Sequence, residues 1–442
     1  MILLRFASPL LSQSCARSLF VAAVFVSGFC SQANAQALPL VDQVKGVKSA
    51  DRFDVERLNA INTFMNKAVE DGVIVGSSAL IFQDGKEAFF NTWGYHDRAN
   101  KRPMSRDAIF RIYSMTKPIT SVAAMQLVEQ GKMKLDDAIF KYLPEFENLQ
   151  VFVTKKPDQA AGKESRNMTV RDLLRHTSGL SYGFFDVLHP VDQKYLLAGV
   201  LATDKTLAET VQKLSRIPLK YAPGTYFEYS ASTDVLARLV EVVSGESFDN
   251  YLQENIFNPL HMSDTHFVVP EEKQSRLVTM YSDDGSGGLV PTGPAESRKF
   301  VDNRNKFFSG GGGLCSTIDD YLSFMKMLMN NGETSSGRWI IKPATLKETF
   351  SDQLDGIEKP PTGGRHAGTP WGVENFRFGL GFAINEPKYG TDYEWGGIAG
   401  TRFWVNPESG TAMIYMVQVF PLIDHDLSGD FRRLVYEALK EE

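Results

Sequence analysis

Ser114-Met115-Thr116-Lys117 sets a hydroxyl and an amine three residues apart. The tetrad follows the apolar segment Ile109–Tyr113 and precedes Pro118. A helix accommodates proline only in its first turn, so a helix must start near Ser114. On that helix, residues i and i+3 share a face. A serine hydroxyl is a poor nucleophile unless a base lies within hydrogen-bond reach. Lysine can be that base when burial and the positive helix end depress its pKa. The pair therefore reads as nucleophile and base, against the plainer reading of a solvated helix start. Met115, Ile119, Val122 and Ala123 are the expected buried stripe of this helix, and Gly131 ends it.

Other chemistries find less support. The seven histidines stand at 96, 176, 189, 261, 266, 366 and 425, with no H-E-x-x-H string and no i, i+4 pair. With no cysteine cluster either, no metal is expected. No G-x-S-x-G string supplies the nucleophile elbow of an α/β-hydrolase. Gly310–Gly313 lack a following Gly-Lys-Ser/Thr, so they read as a turn beside a cleft rather than a phosphate loop. Two further strings do suit acyl transfer. Pro223–Ala231 carries Tyr229 on a turn leading into a helix at Ser232, and Glu394–Thr401 is a strand punctuated by Gly396, Gly397 and Gly400. Interior glycines weaken a strand unless something must approach its backbone closely. A core tyrosine and a bulge are the plainer readings. Together with Ser114 and Lys117, these strings supply nucleophile, second base and exposed amides.

The elements that must hold these residues come from a chain of 442 residues, 43% apolar and 23% charged. That composition makes a folded core and excludes disordered, collagen-like and coiled-coil readings. The 30 Phe, 15 Tyr and 5 Trp read as core material. A net charge of −6 without a Lys/Arg run gives no footprint for nucleic acid. No apolar stretch reaches the length of a membrane span. Residues 1–35 have the form of a signal peptide: Arg5 and Arg17, an apolar run from Leu19 to Phe29, then Ala33-Asn34-Ala35. Export to the periplasm or medium is expected, and the mature chain keeps only Cys315, which cannot form an internal disulfide. Helical patterns cover Val55–Glu70, Leu207–Leu214, Ser232–Ser244, Phe248–Ile256, Asp319–Asn330 and Ser428–Leu439. Strand patterns cover Val73–Phe82, Lys86–Tyr95, Phe378–Ile384, Glu394–Val405 and Gly410–Val419. Strands at both ends with helices between them predict an α/β (α+β) domain over 36–442. Its sheet is completed by the two termini, with a helical region of about 117–346 inserted.

On these motifs the chain resembles the serine β-lactamase-like superfamily, in its class C β-lactamase and family VIII carboxylesterase branch. Ser114-Met115-Thr116-Lys117 matches the S-x-x-K of that family, Tyr229-Ser230-Ala231 falls at its Y-x-N, and Trp395-Gly396-Gly397 at its K-T-G. Thr169–Leu180, with Thr169 and Asp172 as a capping box, and Gly311–Thr317 are similar to the same branch. The likeness runs from about Asp51 to Leu439 and implies an antiparallel β-lactamase/DD-peptidase-like sheet flanked by helices. It implies that Ser114 is acylated, that Lys117 is its base and that Tyr229 shuttles protons, as a phenolate or sharing a proton with Lys117. The oxyanion hole would be the Ser114 and Ile398 backbone amides, and Trp395, Gly396 and Gly397 would line the substrate. No cofactor is implied. His176 is expected as a structural residue of its helix-to-loop turn.

Two departures bear on substrate. Where the family pattern has the asparagine of Y-x-N this chain has Ala231, and where it has the lysine of K-T-G it has Trp395. Both polar handles for a β-lactam or a D-Ala-D-Ala end are gone, while Arg402 lies just downstream with a direction the sequence does not give. The implied activity is hydrolysis of small, short-acyl esters. A β-lactamase or DD-peptidase, or a non-catalytic penicillin-binding sensor, are the alternatives. The sequence leaves oligomeric state open.

Overall fold

In a strand buried on both faces, neighbouring side chains feed different cores, and this organises the molecule. The computed structural model describes residues 52–152, 166–293, 298–357, 376–421 and 427–440, all within the unit Val44–Glu442. The expected signal peptide, 1–35, lies outside the described residues. One eight-stranded antiparallel sheet contains β1 (Gly76–Gln83), β2 (Lys86–Asp97), β3 (Arg102–Pro103), β4 (Arg377–Phe378), β5 (Ala383–Asn385), β6 (Asp392–Gly396), β7 (Arg402–Asn406) and β8 (Thr411–Val417). Its order is β3-β2-β1-β8-β7-β6-β5-β4. The N-terminal strand β1 thus pairs with the C-terminal strand β8, Leu80 opposite Ile414. The α+β architecture read from the sequence is what the chain adopts.

Leu80, Phe82, Ala412, Ile414 and Met416 point into the larger core, and Ala79, Ile81, Met413, Tyr415 and Val417 into the other. The second core is closed by α1 (Val55–Glu70) and a C-terminal helix (Leu427–Ala438), through Leu58, Ile61 and Met65 on one and Phe431 and Val435 on the other. The first core takes α2 (Thr116–Glu129), α3 (Val170–Leu174), α4 (Ser232–Ser244) and α5 (Ile318–Met329), so the C-terminal helix is α6. Thr169 caps α3 in the expected box with Asp172, and Thr317 caps α5.

Three expectations need correction. The stripe foreseen on α2 is instead burial all round, from Thr116 to Leu127, because α2 lies between the sheet, α4 and a helix at Pro343–Phe350. Glu394–Val405 is two strands and a turn: three of its glycines cluster at 396, 397 and 400, and Gly400 has φ +90°. Phe378–Ile384 is likewise a hairpin, β4 and β5. No helix among the described residues is long and apolar enough to cross a membrane.

Candidate active site

The Ser114 position, expected to carry the nucleophile, is built by a constrained backbone. Tyr113 has φ +41°, in the left-handed region that a bulky residue rarely occupies, and Tyr113–Met115 form a 3-10 turn that runs into α2. Such a residue is strained by about 1–3 kcal/mol and persists only where its surroundings fix it. Here the Tyr113 ring stacks on Phe420 and meets Phe300 edge-on. Just upstream, Phe110–Arg111 pairs with Cys315–Ser316, and Ile112 N–H donates to Leu314 O at 3.0 Å. The glycine segment 310–313 is therefore drawn against the nucleophile turn.

Ser114 and Lys117 meet as their spacing requires. Lys117 Nζ lies 3.1 Å from Ser114 Oγ and donates to Gly311 O at 2.5 Å. Its side chain is 1% exposed, and burial pulls its pKa down to about 7, opposed in part by the carboxylate of Asp234. Tyr229 arrives from the turn before α4. Its hydroxyl bonds to Ser114, accepts from the Trp395 indole N–H at 3.3 Å, and its ring lies 4.4 Å from Lys117 Nζ. Burial pushes the Tyr229 phenol above its ordinary value, against the two hydrogen bonds, which pull it down. Burial thus favours the protonated phenol at Tyr229 and the uncharged amine at Lys117.

The strand edge comes to the same place. Gly397 sits beside Ile112, so that a Cβ there would stand 2.5 Å from Ile112 O, and Thr401 Oγ1 donates to the same carbonyl at 3.3 Å. This explains the glycine: the turn after β6 must touch the backbone two residues before Ser114. Among the described residues, neither the Ser114 nor the Ile398 main-chain N–H has a hydrogen-bond acceptor. Trp395 is buried at 4% exposure, packed on Tyr229 and Phe378, so its indole faces the Tyr229 hydroxyl. Arg402, whose direction the sequence left open, makes a two-point ion pair with Glu394 across the hairpin.

Asp234 and Tyr182 escaped sequence reasoning, while Gly311, read there as part of a turn beside a cleft, and His176, read as structural, also reach the site. Gly311 supplies the carbonyl for Lys117, and its own N–H donates to Asp234 Oδ1, which also accepts from Ser309 Oγ. Asp234, in the first turn of α4, is fully buried, and that burial raises its pKa. Its one sequence signal, an acid three residues beyond Ala231, is also that of an ordinary helix start. Tyr182 lies under Lys117, with its ring 5.2 Å from Nζ. His176, expected as structural, does occupy the turn after α3 with φ +57°, yet its ring also packs 4.9 Å from that of Tyr229. Burial pulls its pKa well below the ordinary imidazole value.

A buried Ser–Lys–Tyr set with free amides beside it is the equipment of a serine hydrolase. The chain belongs to the Beta-lactamase family, whose sequence model matches residues 61–437. It is 33% identical over 387 residues to protein Rv1367c of Mycobacterium tuberculosis (strain ATCC 25618 / H37Rv), covering 83% of this chain and 90% of that one. Esterase EstB of Burkholderia gladioli is 28% identical over 376 residues, covering 81% of this chain and 89% of its own. Among solved structures, EstCE1, described as a hydrolase with promiscuous acyltransferase activity, superposes with a TM-score of 0.70 at 26% identity. That match covers 86% of this chain and 99% of EstCE1.

Proposed function

We propose that the chain is an exported serine carboxylesterase of the family VIII type, cleaving short-acyl esters through an acyl-enzyme on Ser114. The observation that carries this reading is the buried Lys117 amine, near neutrality, within reach of the Ser114 hydroxyl. Uncharged Lys117 takes the Ser114 proton as Oγ attacks the ester carbonyl. The oxyanion forms against the Ser114 and Ile398 amides, donors that are each worth ~2.7–4 kcal/mol in such sites. Tyr229 gives its proton to the departing alcohol oxygen as the C–O bond breaks, and is reprotonated from Lys117. Water then attacks the acyl-enzyme by the same route in reverse, releasing the acid and restoring Ser114. The names of EstB and EstCE1 favour ester chemistry. Ala231 and the Trp395 indole, which is spent on Tyr229, disfavour the β-lactamase and peptidase alternatives. Intact Ser114, Lys117 and Tyr229 disfavour a non-catalytic sensor. Export rests on the leader at 1–35, and the short-acyl preference on the family branch.

A fluorophosphonate probe is expected to label Ser114, read as a mass shift on its tryptic peptide, and Ser114→Ala to abolish both label and turnover. Ser178, Ser230 and Ser309, whose hydroxyls are tied to Ser232 or Asp234, should stay unlabelled. The expected kcat/KM for nitrophenyl butyrate exceeds that for a chromogenic cephalosporin about a hundredfold, or roughly 2.7 kcal/mol. Equal rates on the two would make the enzyme a β-lactamase.

A further inference from the structure

Half of the large apolar side chains that the described chain leaves in solvent fall in one short stretch. Phe184 (41%), Val187 (52%), Leu188 (84%), Leu196 (50%) and Leu197 (89%) are exposed within fourteen residues. A soluble chain tolerates scattered exposed leucines, but a cluster of this kind marks a place where something apolar is received. The stretch is held in place rather than left loose. Gly183 (φ +86°) lets the backbone lie against the helix Pro190–Ala198, where a Cβ would stand 2.5 Å from Tyr195 Cβ and 3.4 Å from Leu196 N. Tyr195 OH accepts from Ser181 N–H at 3.2 Å.

The cluster is joined to the reacting atoms by a run of rings. Phe184 stacks on Tyr182 at 5.3 Å and lies 4.4 Å from Phe185, while Tyr182 and Phe185 both contact the Tyr229 ring, at 5.5 and 6.0 Å. A run of apolar ring contacts thus leads from solvent at Phe184 to the group proposed to protonate the leaving oxygen. That direction has a chemical meaning. The donor of that proton must adjoin the alcohol half of the ester, because it is the alcohol oxygen that departs. An apolar path beginning at Tyr229 therefore runs along the alcohol, whereas the acyl half stays on Ser114.

We propose that Phe184 and the neighbouring leucines bind the alcohol moiety, and that the enzyme prefers esters joining a small acid to a large apolar alcohol. The proposal rests on the esterase reading and deepens it. In the step concerned, the Ser114 Oγ–acyl bond forms, the acyl–O(alcohol) bond breaks, and the alcohol leaves with one proton from Tyr229. The alcohol contacts act before that bond breaks and are absent from the acyl-enzyme.

The test holds the acid constant and varies the alcohol: ethyl, butyl, hexyl and octyl acetate below their solubility limits, followed by acid release. For the wild type, kcat/KM should climb at least tenfold from ethyl to octyl acetate, as burial of several methylenes would give. In Phe184→Ser/Leu196→Ser, both exposed positions, this climb should shrink to within about threefold. A matched series of nitrophenyl acetate to octanoate should respond equally in both proteins. Loss of the acyl-length trend instead, or a wild-type alcohol series that is flat, overturns the proposal. So does a defect that appears only with phosphatidylcholine vesicles present, which would make the cluster a lipid-surface anchor. Failure of both proteins to cleave any ester would instead overturn the esterase reading itself, and this inference with it.

Discussion

Lys117 has the sharpest consequence at the scale of a single residue. Its ammonium is disfavoured by burial, so the amine loses its proton near pH 7 instead of 10.5. As the proposed base it works only when uncharged. The kcat/KM for a nitrophenyl ester should therefore rise with pH through an inflection near 7 and level off above it. The same shift acts on stability with a definite sign. Between about pH 7 and 10.5 the unfolded chain holds a proton on Lys117 that the folded chain does not, so folding gains stability as pH rises. Lys117→Met removes that titration. Wild-type minus variant unfolding free energy should grow by at most ~1.4 kcal/mol per pH unit across this window and be flat outside it. A difference that stays flat across this window would mean that Lys117 keeps its proton in the fold. The spacing of Ser114 and Lys117 was readable because it is local: three residues on one helix fix their approach. Asp234 and Tyr182 were not readable as site residues, nor were the contacts made by Gly311 O and His176, since each reaches Lys117 or Tyr229 only through packing of remote segments.

At the scale of elements, the site is a junction of three: the 3-10 turn before α2, the turn before α4 and the hairpin of β6 and β7. Periodicity located α1 and α4 to the residue, because long amphipathic patterns with caps leave little freedom. It misread the run at Glu394–Val405, where apolar residues continue through a turn that exists for contact with Ile112 rather than for any local preference. That contact supplies a prediction. In Gly397→Ala the new methyl would meet Ile112 O at 2.5 Å and Thr401 Oγ1 at 2.4 Å, and the hairpin must move away from Ser114. Overpacking of this kind destabilises by about 1–3 kcal/mol. Moving one oxyanion donor should lower kcat of the folded enzyme by at least tenfold, with KM changed much less. Gly293→Ala, exposed with open space around it and, like Gly397, not at positive φ, serves as the control for loss of a glycine. If Gly397→Ala lost stability relative to this control but kept wild-type kcat, the hairpin would not be the oxyanion wall.

The whole molecule depends on its two ends meeting. β1 and β8 are neighbours in mid-sheet, Asp54 N–H donates to Ala438 O at 2.8 Å, and Lys440 N–H donates to Arg52 O at 2.9 Å. The helix α6 closes the second core with Leu427, Phe431 and Val435, all buried. Each such side chain contributes about 1.5–3 kcal/mol when buried, and a domain has only 5–15 kcal/mol in hand. A chain stopped at Pro421 should therefore fail to fold, seen as loss of soluble protein or of a cooperative thermal transition. Breaking covalent continuity elsewhere should matter far less, because the contacts rather than the order of synthesis define the sheet. We expect a permutant joining Lys440 to Arg52 through a short Gly/Ser linker, opened in the exposed turn between Gly285 and Ser286, to keep a single thermal transition. Its kcat/KM should stay within about threefold of the parent, since the opened turn lies in a separate two-stranded ribbon and no catalytic element crosses it. A permutant that is folded but inactive would show that the ribbon at Tyr281–Pro291 shapes the site, an influence transmitted most directly by Tyr281, which exchanges main-chain hydrogen bonds with Gln418 and Phe420 behind Tyr113.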